Sequence, residues 1–176
     1  ALRKKIIKDK NEEVWKKLQG LVYGKYMHLA KLSEGFINFL FKSKLLGAKV
    51  YIVSHKTIYG HYDRNKVPLR QVALKWIIKK KIPEFEKIYF EDSIDNKIRR
   101  INNLKLDYFI DDLELILKNR KFSKETNKIL FSRQVKKKLS KNIKQFNKWS
   151  NIRKCIFGPE GLKEIKTYAE FISKKK

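Results

Sequence analysis

Two hydrophobic rhythms alternate along this chain. Spacings of three and four residues mark helices, and short unbroken apolar runs mark strands. The first helical stretch is Leu2–Leu18, charged on most sides, with Ile6, Ile7, Val14, Trp15 and Leu18 as its apolar positions. Gly20 and Gly24 then bracket Leu21-Val22-Tyr23, which predicts a turn. Ser33 suits the N-cap of a second helix carrying Phe36, Ile37, Leu40 and Leu45, and Gly47 suits its C-terminal stop. Pro68 opens a third helix with Val72, Ala73, Trp76 and Ile77 on one face, and Pro83 closes that segment. Ser93 introduces a fourth, faced by Ile98, Ile101 and Leu104, and Leu113–Leu117 is a short fifth.

Four runs between these helices are too short for helices and rich in β-branched and aromatic residues. They are Val50–Ser54, Lys87–Glu91, Tyr108–Asp111 and Lys128–Phe131. Runs apolar at nearly every position suit parallel strands covered on both faces. Strands alternating with helices predict βαβ units, hence an α/β fold with a parallel sheet and helices on both sides. The chain divides into a helical N-terminal region (1–48), an α/β core (49–132) and a basic helical tail (133–176), all within one domain. In the tail, Val135, Leu139, Ile143 and Phe146 form a stripe expected of a surface helix packed on the core. A last helix is expected from Trp149 through Ile172, and no repeat or linker interrupts the sequence.

Composition sharpens this picture in three ways. With 42% apolar and 12% aromatic residues over 176 positions, the chain can build a core despite 35% charge. The formal net charge of +26 predicts attraction to anions: nucleic acid, anionic surfaces or phosphorylated molecules. Lysines are spread through nearly every segment, however, as compositional drift in an A/T-rich coding sequence would also produce. A single cysteine, Cys155, excludes an internal disulfide and a multi-cysteine metal site, and suits a reducing compartment such as the cytoplasm. No run is long enough to span a bilayer, and the N-terminus has no signal-peptide core. The sequence opens on Ala1 rather than Met, which leaves upstream residues an open matter.

The stretch with the most chemical content is Phe109-Ile110-Asp111-Asp112-Leu113. An apolar strand ending in two adjacent aspartates concentrates negative charge at one spot, which a cation, solvent or protonation must relieve. Mg²⁺ does so directly, because it takes oxygen ligands from one or two carboxylates together with phosphate. Ligands of open α/β sheets bind at the carboxyl ends of the strands, where this pair is expected. The plainer alternative makes Asp112 the N-cap of a helix beginning near Leu113, with Asp111 solvated. Ser54 ends the first strand and Lys97 lies near the start of the helix after the second. A hydroxyl, an ammonium and a carboxylate pair at successive strand ends could hold a phosphoryl group and its metal in one shallow cleft. Ser54 could equally just terminate a strand, and Lys97 has many basic neighbours, Arg99 and Arg100 among them.

This ordered set resembles the haloacid dehalogenase-like superfamily, across roughly Trp15–Phe131. The runs that carry the resemblance are Tyr51-Ile52-Val53-Ser54-His55-Lys56-Thr57, Tyr89-Phe90-Glu91 and Phe109-Ile110-Asp111-Asp112-Leu113, with Leu18-Gln19-Gly20-Leu21-Val22-Tyr23-Gly24 upstream. The resemblance implies a Rossmann-like three-layer fold and a phosphohydrolase chemistry acting on phosphorylated small molecules. It implies that Ser54 binds phosphoryl oxygens, that Lys97 offsets charge, and that Asp111 and Asp112 position Mg²⁺, with His55 and Lys56 beside them. It also implies a first motif, an apolar strand followed by Asp-x-Asp, which supplies the nucleophile and stands at the centre of the sheet. This sequence contains no Asp-x-Asp; Asp9 lies in a charged context without a strand. The expectation is therefore a sheet lacking its first, central strand, with no nucleophile, no phosphatase activity as given, and weak or conditional Mg²⁺ binding.

Two other functions compete with this one. A non-enzymatic basic module could bind nucleic acid or another polyanion, although no RNP, zinc-finger or helix-turn-helix pattern is present. A partner-dependent subunit could receive its central strand from another chain or from a second copy, because interior strands left unpaired invite association.

Overall fold

The computed structural model describes residues 12–61, 63–83, 85–134 and 139–159. The expected positions Ile6, Ile7, Asp9 and Val135, and the stretch from 160 to Ile172, lie outside these residues. The chain is mixed α/β, with every named strand pairing parallel to its neighbour. It forms two compact units, one drawn from Ala1–Leu32 and Tyr51–Lys97, the other from Ser33–Val50 and Ile98–Lys176. No helix among the described residues is long and apolar enough to cross a membrane.

The first unit begins with α1, Glu12–Tyr23, whose acidic first turn suits the positive end of the helix dipole. Glu12 and Glu13 each pair one turn along with Lys16 and Lys17, the favourable i, i+4 orientation. A single 3₁₀ turn, Met27–Leu29, follows. Strand β1, Tyr51–His55, and strand β2, Lys87–Glu91, form a two-stranded parallel sheet with Val53 opposite Tyr89 and Ser54 opposite Phe90. Helix α2 of the chain, Phe36–Leu45, belongs to the other unit; α3, Leu69–Lys79, makes the crossover between β1 and β2. Among the described residues of this unit, Leu69 and Ala73 on α3 and Val53 on β1 are the buried apolar ones.

The turn expected at Leu21–Tyr23 is instead the last turn of α1. Gly20 sits inside the helix for a packing reason. A methyl group at Gly60 would come within 2.9 Å of Gly20 Cα, so the loop backbone lies directly against the helix there. Two glycines facing each other permit an approach that any side chain at Gly60 would block.

The second unit holds a three-stranded parallel sheet in the order β3 (Tyr108–Asp111), β4 (Asn127–Phe131), β5 (Ile143–Phe146). Helix α4, Ile94–Asn103, carries the chain into this unit, and Ser93 caps it by accepting from Asn96 N at 3.1 Å. Helices α5, Glu114–Leu117, and α6, Trp149–Phe157, complete it. Its core is Ile98, Ile101, Phe109, Ile116, Leu117, Phe122, Ile129, Leu130, Ile143 and Ile152, every one of them buried. Trp149 gathers a second apolar cluster, with ring centroids 4.9 Å from both Phe36 and Phe39 and 5.0 Å from Phe131.

Strand β5 corrects the expected amphipathic helix. Ile143 and Phe146 lie on a strand that pairs with Lys128 and Phe131 of β4, with Leu139 preceding it in irregular chain. The second helix also starts later than Ser33 suggests. Gly35, at φ 78°, occupies the cap position, while Ser33 contributes its backbone carbonyl to Phe36 N. Gly47 adopts φ 74° just past the end of α2, as a helix-terminating glycine should.

Candidate phosphoryl-binding site

Parallel pairing places the carboxyl ends of β1 and β2 side by side, with His55 opposite Glu91. Ser54, half-buried, is thus one residue from the end of β1, and the chain beyond it is held by backbone and side-chain bonds. Lys56 N donates to Glu91 O at 2.9 Å, and a His55 ring nitrogen, Nε2, lies 3.1 Å from Asp92 O. Arg70, on the first turn of α3, spans the same edge: its Nε donates to Lys56 O at 2.9 Å, and its guanidinium pairs with the Asp92 carboxylate. Charge-assisted bonds of this kind fix geometry as well as adding energy. The loops after β1 and β2 are therefore tied together by Arg70, a residue with no sequence signal to distinguish it from its neighbours.

Lys56 extends over the Tyr23 ring, with Nζ 4.2 Å from the centroid. Burial there disfavours the ammonium and lowers its pKa from the ordinary 10.5. The cation–π contact keeps the side chain in place at the C-terminal edge of β1. Lys97 lies one turn into α4, its backbone N–H bonded to Ser93 O at 3.0 Å, and the residue is 7% exposed. A lysine this enclosed is uncommon.

In the second unit, Asp111 ends β3 and is 9% exposed, while Asp112 is exposed just beyond it. Asp111 Oδ1 accepts from Leu113 N at 2.8 Å, closing a tight turn that leads into α5. The alternative role for Asp112 does not hold. The helix begins at Glu114, Leu113 occupies the cap position without a side-chain cap bond, and the carboxylate that orders this turn is that of Asp111.

Ser54, His55, Lys56 and Lys97 thus belong to the first unit, all at the carboxyl end of the β1–β2 sheet or on the chain leaving it. Asp111 and Asp112 belong to the second, at the carboxyl end of β3. Adjacent carboxylates with all-oxygen donors fit a hard cation that takes one or two carboxylates and fills its remaining positions with phosphate and water. Among the described residues no group of three or more His, Cys, Asp or Glu side chains stands together. No family model, curated protein or solved structure matches this chain.

Proposed function

We propose that this chain is a haloacid dehalogenase-like phosphohydrolase-type domain that binds and orients a phosphoryl group without hydrolysing it by itself. The observation that carries the reading is the order of the strands within each sheet. In the superfamily, the strand bearing Asp-x-Asp lies between the strand ending in the serine motif and the strand ending in the acidic pair. The two strands that would flank it, β1 and β3, are each terminal in the order of their own sheet. Among the described strands each therefore keeps one edge without a named partner strand, as expected where the motif-bearing strand is absent.

In this reading the Ser54 hydroxyl donates to a phosphoryl oxygen and Lys97 offsets its charge. Asp111 and Asp112 would hold Mg²⁺, which neutralises phosphate charge and orients the group. The chain itself supplies binding and orientation. It has no Asp-x-Asp, hence no carboxylate placed to form an aspartyl-phosphate. Fusing an apolar strand that carries Asp-x-Asp ahead of Ala1 tests this. The account expects Mg²⁺-dependent hydrolysis of p-nitrophenyl phosphate, lost when the first aspartate of the added motif becomes Asn and when Asp111→Asn is introduced. Hydrolysis by the unfused chain, unaffected by Asp111→Asn with Asp112→Asn, would overturn it.

A further inference from the structure

A separate basic cavity lies in the first unit, between α1 and the loop that follows β1. It encloses about 500 Å³, within the range of small-molecule sites. Lys17 and Lys25 enter from the helix side and His61 and Arg64 from the loop, while Gly20, Leu21 and Val67 provide an apolar floor. The Gly20–Gly60 contact shapes this space, because it brings the loop backbone against the helix and leaves the flanking cations around the opening.

The wall sets one carboxylate, Asp63, against three basic side chains, Lys17, Lys25 and Arg64, so the lining stays net positive. Asp63 Oδ1 accepts from Asn65 N at 3.0 Å and Oδ2 from Val67 N at 2.8 Å, which holds the carboxylate in the turn that builds the loop. Lys66, at φ 47°, completes that turn. Glu13 pairs with Lys17 at 2.7 Å, which leaves Lys25, Arg64 and His61 as the groups facing an incoming anion. A second hollow of about 500 Å³ adjoins the first, sharing Lys17, Asp63 and Arg64, and Tyr59 lines it with its side chain substantially exposed. Cations beside an apolar floor, next to an available aromatic ring, match a molecule with a phosphate at one end and a planar ring at the other.

We infer that this cavity is a binding site for a mononucleotide-like ligand, its phosphate on Lys25 and Arg64 and its base against Tyr59. The site is independent of the Ser54–Lys97 reading and uses none of its residues. Lys25 and Arg64 are exposed, so replacing them leaves the fold intact. Calorimetric titration of the full chain with AMP, and separately with inorganic phosphate, tests the inference. Lys25→Ala with Arg64→Ala should weaken AMP binding at least about tenfold, as expected for losing charge-assisted bonds. Tyr59→Ala should weaken AMP but not inorganic phosphate. Arg120→Ala with Lys124→Ala removes the same charge from an exposed stretch of the other unit. If that control weakens AMP as much as the cavity variant, the attraction is merely net charge and the inference fails. It fails too if AMP does not bind, or if Tyr59→Ala weakens inorganic phosphate as much as it weakens AMP.

Discussion

Substituting alanine at Gly60 and at Gly20 should have opposite effects, although the two residues face one another. A Cβ at Gly60 would stand 2.9 Å from Gly20 Cα, whereas ordinary van der Waals contact begins near 3.4 Å. The obstructing atom is backbone, so relief requires α1 and the loop to separate by about half an ångström. Over-packing of this kind costs about 1–3 kcal/mol. A Cβ at Gly20 would meet Gly60 Cα at 3.5 Å and His61 O at 3.8 Å, both ordinary contacts. There the gain is the helix preference of Ala over Gly, about 0.5–1 kcal/mol. At roughly 2–4 °C per kcal/mol for a chain of this size, Gly60→Ala should lower Tm by about 2–12 °C and Gly20→Ala raise it by about 1–4 °C. Thermal unfolding followed by circular dichroism reads both. Gly20→Ala as damaging as Gly60→Ala, or Gly60→Ala without effect, would show that helix and loop do not meet as described.

Trp149→Ala should cost about 3 kcal/mol, the low end for aromatic truncation, because the residue is only half-buried among Phe36, Phe39 and Phe131. Trp149→Phe should cost clearly less in urea unfolding, since the indole Nε1 is buried without a hydrogen-bond partner among the described residues. Lys128 lies over the Phe122 ring at 4.4 Å, and burial lowers its pKa from 10.5. The unfolded chain therefore holds this proton more tightly, so this lysine makes stability rise as pH climbs toward 10.5. Lys128→Met should flatten that rise relative to the parent when urea midpoints are compared at neutral and alkaline pH, and an unchanged slope would contradict it. With a net charge of +26, RNA of any sequence should bind, with affinity falling steeply as salt rises. A shallow salt dependence with strong sequence preference would point to specific recognition instead.

Much of the fold was legible in the chain because short, dense, β-rich runs such as Lys87–Glu91 and Lys128–Phe131 have few other conformations open to them. Their lengths and the helical spacings between them were enough to predict parallel strands. Strand β5 was hidden by its surroundings. Ile143-Lys144-Gln145-Phe146 is short and polar in the middle, and with Val135 and Leu139 it mimics a helical stripe. Its pairing with β4 is a tertiary interaction that local pattern does not encode. Gly20 misled for a similar reason, since its role is to admit the Gly60 backbone forty residues away in sequence. The strand-end positions of Ser54 and Asp111 followed directly from reading those strands. Arg70 and the cations around the Asp63 turn did not, because only the folded loop brings them to the strand edge and the helix.

The most direct test of the central claim is binding of inorganic phosphate in the presence and absence of Mg²⁺, measured by calorimetry on the full chain. The account predicts weak, Mg²⁺-dependent binding. Ser54→Ala and Lys97→Ala should each reduce it, the latter by roughly tenfold or more as a charge-assisted bond is lost. Asp111→Asn with Asp112→Asn should abolish the Mg²⁺ dependence, while Lys25→Ala with Arg64→Ala should leave that dependence intact. Phosphate binding that persists undiminished when Ser54, Lys97, Asp111 and Asp112 are all replaced would contradict the account.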